Sequence, residues 1–180
     1  MYRVRNIFFF WISLCLLVVP AIAWSAYFTT LTNSYMDSVL DRYFPQREYT
    51  ASARITLHKP EVLLTQGASN IILMIPIDAN IPGQPMRPGH VKTAVTIIYN
   101  PANGGVYFSH PRIVKFEIPG ISATLNNSLH SDLDTILKTA IPLIRIYQLD
   151  EKSLNHSLVK SILKSYIIGN GSIKVEFGFE

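Results

Sequence analysis

The spacing of apolar and polar residues changes character several times along the chain. Ile7 to Trp24 is a nearly unbroken apolar run with no period. Residues 31 to 44 then place Leu31, Tyr35, Met36, Val39, Leu40, Tyr43 and Phe44 at spacings of three and four. That spacing predicts an amphipathic helix, capped by Thr32 or Asn33 and ended by Pro45. From about residue 49 the period becomes two. Ala51, Ala53, Ile55 and Leu57 alternate with polar residues, Lys59-Pro60 interrupts, and Glu61 to Leu64 resumes. Gln66 to Asn70 is turn chemistry. Ile71, Leu73, Ile75 and Ile77 share one strand face. A loop rich in Pro and Gly is predicted for 81–89. Val91, Val95, Ile97 and Tyr99 form the next face, and Asn103-Gly104-Gly105 signals a hairpin. Val106 to Ser109 and Ile113 to Ile118 complete a meander of at least four strands.

Helical spacing returns over residues 122 to 146. Leu125, Leu129, Leu133, Ile136, Leu137, Ala140, Ile141 and Ile144 make one stripe, which Pro142 should kink or end. A shorter helix is predicted for Lys152 to Leu163. Ser165 to Ile168, a Gly169-Asn170-Gly171 turn and Ile173 to Phe177 read as a final hairpin. Strands followed by helices indicate an α+β domain, with helices against one face of an antiparallel sheet. The alternating strand–helix order of a parallel nucleotide-binding sheet is absent.

The first residues set the compartment. Arg3 and Arg5 precede the apolar run, no acid occurs before Asp37, and Ala21-Ile22-Ala23 is a small-x-small ending. By the positive-inside rule the remainder crosses the membrane. Residues 1–26 are therefore a signal peptide or an N-terminal membrane anchor, and 27–180 a single domain. Cleavage after Ala23 or Ala26 gives a soluble periplasmic protein. Retention gives an inner-membrane anchor, since 18 apolar residues rise about 27 Å as a helix. Cys15, the only cysteine, lies inside the run, so no disulfide supports the exported body.

Composition narrows the classes further. With 48% hydrophobic and 16% charged residues the chain is not wholly disordered, and no second long apolar run makes it polytopic. Its net charge of +4 falls to about +2 without Arg3 and Arg5, too little to point to nucleic acid. His58, His90, His110, His130 and His156 show no zinc-type spacing, and Gly-x-Ser-x-Gly and phosphate-loop motifs are missing. Asp37 and Asp41 read as a solvated helix face. Neither an enzyme nor a cofactor is expected. What remains is apolar. The aliphatic strands and the Leu/Ile helix either pack into a plain core or leave a channel between them for an acyl chain.

The order and spacing of several pieces resemble the YceB-like family of bacterial lipoproteins. They are Tyr43-Phe44-Pro45 after the first helix, Ile55 to Leu64, Ile97-Ile98-Tyr99-Asn100 leading to Gly105 to Phe108, Ile146 to Asp150, and Ile167 to Val175. The resemblance covers roughly residues 30 to 180. It implies a tubular lipid-binding type of fold, a long helix in the C-terminal half wrapped by a strongly curved antiparallel sheet. It also implies a cell-envelope location and binding of a lipid or another apolar molecule. Members usually begin with a lipobox cysteine, and Leu14-Cys15 departs from that pattern. On this reading the ligand is held by Leu129, Leu133, Ile136 and Leu137 of the helix and by Leu73, Ile75, Val95 and Ile97 of the strands. The alternative is an envelope structural or interaction protein with a fully packed core and no ligand.

Overall fold

The computed structural model describes residues 27–149 and 161–179. The apolar run of residues 7–24 lies outside them, as does most of the predicted helix at 152–163. Among the described residues, no helix is long and apolar enough to cross a membrane.

The described residues are mostly antiparallel strand. The elements are β1 (Tyr27–Thr32), α1 (Asn33–Leu40), β2 (Gln46–Tyr49), β3 (Arg54–Leu57), β4 (Glu61–Leu63), β5 (Ile71–Asn80), β6 (Arg87–Asn100) and β7 (Gly105–Glu117). They are followed by α2 (Ala123–Ala140), a 3₁₀ turn (Ile141–Leu143), β8 (Arg145–Gln148), β9 (Ser161–Ile168) and β10 (Ser172–Phe179). A seven-stranded sheet has the order β2-β3-β5-β6-β7-β8, with β4 beside β3 on β5. It curls strongly into a half-barrel around α2, as the family resemblance implies. A second sheet, β1-β10-β9, is small.

Alternation builds the half-barrel. In β5, Ile71, Leu73, Ile75, Ile77 and Ala79 are all buried, while Pro76 and Asn80 are exposed. Register carries this face across the sheet. Val62, Leu73, Thr93 and Ile113 lie side by side on β4 to β7, and Ile75, Val91 and Phe116 form the next row. Gly89 is required where β6 meets β7, because a Cβ there would strike the Glu117 carbonyl oxygen and, at 2.7 Å, Ile118 Cγ1. Gly89→Ala is expected to cost about 1–3 kcal/mol by overpacking, read as a lower urea midpoint at unchanged slope.

Several predicted boundaries move. The first helix spans Asn33–Leu40 rather than 31–44, with Thr32 Oγ1 accepting from the Tyr35 amide as its cap. Leu31 belongs instead to β1, opposite Ile173 of β10. Tyr43 and Phe44 lie in the turn that follows, before a cis Phe44–Pro45 bond. Ala51 is exposed in a turn, and the strand before it is β2. The loop after β5 closes by Met86, since Arg87 to Gly89 already pair with Ala79 to Ile77. Val106–Ser109 and Ile113–Glu117 are one strand, bent where His110 and Pro111 oppose Val95 alone. His110 takes a φ of 50° at that bulge. The long helix stops at Ala140, because Pro142 has no amide to continue it, and Arg145–Gln148 pair with β7. Ser161–Leu163, predicted as a helix end, open β9.

Both sheets and α2 share one core. Leu31, Ile168, Ile173, Val175 and Phe177 of the small sheet join the same buried cluster as Ile75, Val95 and Leu133. Phe177 makes the closest aromatic link, with its ring 5.2 Å from Tyr99 of β6 and 6.1 Å from Tyr27 of β1.

Candidate functional site, the trough under α2

The half-barrel presents a concave aliphatic trough, and α2 lies in it. Sequence alone predicts the inward positions of both walls. Leu129, Leu133 and Leu137 recur every fourth residue, so they fall on one side of α2. They are the three fully buried residues of that helix. Leu73 and Ile75 of β5 face inward with Val95 and Ile97 of β6, and Val95 pairs directly with Ile71. Seven of the eight predicted residues therefore belong to one buried cluster, and Ile136 packs against it, partly buried. The cluster is closed. Leu73, Ile75, Val95, Leu129 and Leu133 have 0% exposure, Leu137 1% and Ile97 5%.

One polar atom interrupts the aliphatic surface. Thr93 lies opposite Leu73 and between Val91 and Val95, fully buried, and its hydroxyl has no hydrogen-bond partner. An unsatisfied buried hydroxyl costs about 1–3 kcal/mol. A polar residue in an inward register of β6 was visible in the sequence as a break in the alternation.

Few polar contacts hold α2 in place. Ser128 Oγ on α2 lies 2.8 Å from Ser52 Oγ in the turn between β2 and β3. That turn is stiffened by Thr50, whose hydroxyl accepts from the amides of Ser52 and Ala53 at 3.2 and 3.1 Å. His130 sets its ring edge-on to Phe116 of β7, with centroids 6.0 Å apart. Ser122 caps the helix by accepting from the Leu125 amide, and Lys138 pairs with Asp134 within the helix. Beside the Ser52 turn a depression of about 260 Å³ opens to solvent, lined by Tyr49, Ala53, Arg54, Asn80 and Pro82 among others. The Arg54 guanidinium lies 4.8 Å from the centre of the Tyr49 ring.

Among the described residues, His58, His90 and His110 lie on or beside strands and His130 on α2, rather than in a cluster. His58 Nε2 meets Asp78 at 2.7 Å, and His90 Nε2 meets Glu117 at 2.9 Å, all on the outer face of the sheet. The Lys115 ammonium, and to a lesser degree His90, hold the Glu117 carboxyl below the usual range. Asp41 on the rim of α1 pairs with Lys59 at 3.0 Å, and this carboxylate, with Asp37 behind it, raises the Lys59 ammonium. No group of three or more His, Cys, Asp or Glu that could hold a metal ion occurs among the described residues.

No protein-family model matches this chain, and no curated protein matches it significantly in sequence.

Proposed function

We propose that the chain is an extracytoplasmic, non-enzymatic binding module for a lipid or other apolar ligand, held between α2 and the curved sheet. The observation that carries this reading is a continuous aliphatic trough in the half-barrel, into which α2 turns a narrow leucine stripe. The orphan Thr93 hydroxyl supports it, since a ligand with one polar group would supply the missing partner. The closed state implies exchange. An acyl chain would enter as α2 lifts and would take the place of Leu129, Leu133 and Leu137. The basic start and apolar run of the N-terminal segment support a periplasmic location for this activity, free or anchored to the inner membrane.

The near-zero exposure of seven of the eight trough residues favours a second reading, an envelope interaction protein with a permanently packed core. Mass spectrometry of an organic extract separates the two. The chain exported in a bacterial host is expected to carry about one phospholipid or fatty acid per molecule. An empty protein that also fails to take up a fluorescent fatty acid would leave the packed-core reading.

A further inference from the structure

A second depression, of about 280 Å³, lies between α1 and β8, and is lined by Tyr35, Val39, Arg42, Tyr43, Arg145, Tyr147 and Gln148. Its chemistry is unlike that of the trough. Two arginines and three tyrosines line a shared space, and no acidic residue lines it among the described residues. The neighbouring acid Asp41 is already engaged by Lys59. The Arg42 side chain has no hydrogen-bond or ion-pair partner among the described residues. Arg145 commits one donor, Nη1, to Gln148 Oε1 at 2.9 Å, out of the five a guanidinium carries.

The phenols are arranged to donate. Tyr43 Oη accepts from the Arg145 amide at 3.2 Å, which leaves its own hydroxyl hydrogen available. Tyr147 Oη lies 3.3 Å from Tyr27 Oη. Either hydroxyl of that pair can donate to the other, and when Tyr27 donates, the Tyr147 hydrogen is left for a group in the pocket. The hydrogen bond with Tyr147, with partial burial second, raises the Tyr27 phenol above its ordinary value.

We infer that this pocket binds a phosphate ester. A carboxylate has two oxygens, which one guanidinium fork can satisfy. Two forks and additional hydroxyl donors suit a tetrahedral group with more acceptor oxygens. The volume is just below that of pockets for whole drug-sized ligands, so it fits a headgroup or a small phosphorylated solute. The pocket opens without movement of α2. It therefore stands independently of the apolar site. Its position favours the headgroup source, because only Ser25 and Ala26 separate Tyr27, the partner of Tyr147, from the apolar run, a reach of about 10 Å at most.

The test is calorimetric titration of the full chain, in a nonionic detergent, with glycerol 3-phosphate. Saturable binding at one site is expected. Arg42→Gln and Arg145→Gln should each weaken it at least tenfold, with little change in thermal midpoint because both side chains are exposed. Absence of binding to the wild-type chain, or binding that survives the double substitution, would overturn the inference. Repeating the titration in nanodiscs identifies the source. Loss of binding in phosphatidylglycerol discs but not in phosphatidylcholine discs assigns the site to an anionic lipid headgroup. Binding retained in both assigns it to a soluble phosphate ester.

Discussion

Replacement of Phe177 by Ala is expected to destabilise the protein by about 3–5 kcal/mol, the range for a fully buried Phe. The residue has no exposed surface and sits where the two sheets share their core. Its ring lies against Tyr99 on the large sheet and Tyr27 on the small one, and such aromatic pairs add to the burial term. A cavity there would loosen both neighbours at once, out of a total stability of about 5–15 kcal/mol. The same ribbon supplies the control. Phe28 is adjacent in β1 but on the outer face, 47% exposed, with the Lys174 ammonium 4.2 Å from its ring centre. Phe28→Ala should cost about 1 kcal/mol or less, the scale of an exposed cation–π contact. Urea unfolding of the pair reads the difference directly. Equal midpoints for the two variants would mean that Phe177 does not join the sheets.

How legible this fold is from the sequence depends on the distance between partners. β5 is plain, because Ile71, Leu73, Ile75 and Ile77 declare the buried face locally. The stripe of α2 and the turns at Asn103-Gly104 and Gly169 to Gly171 are equally local signals. β1 is not. Tyr27, Thr29 and Leu31 do alternate, but Leu31 also stands four residues before Tyr35, and only pairing with distant Ile173 decides for a strand. β8 is hidden for a similar reason, since Ile141 and Ile144 continue the helical spacing past Pro142. The walls of the trough were readable as apolar faces, whereas the contact of Ser52 with Ser128 joins residues 76 apart. The phosphate pocket leaves no local trace. Tyr43 reaches the Arg145 amide across 102 residues, and no pattern in either segment announces the other.

The central claim is that α2 must lift for an apolar ligand to enter, and the Ser52–Ser128 contact offers a way to prevent it. Three fully buried leucines at about 1.5–3 kcal/mol each put the cost of lifting the helix at roughly 5–9 kcal/mol. The unaided open state is then populated at about one part in a thousand or less. An incoming acyl chain offsets that cost by restoring the same kind of contact. Two sulfurs in place of hydroxyl oxygens 2.8 Å apart need a shift of under about 1 Å to reach bonding distance. The Ser52→Cys, Ser128→Cys pair, in a Cys15→Ser background, should therefore form a reversible staple from the β2–β3 turn to α2. Uptake of a fluorescent fatty acid should fall at least tenfold in the oxidised protein and return to the wild-type rate on reduction. Equal uptake in the two redox states, with the disulfide verified by mass, would contradict entry beneath α2.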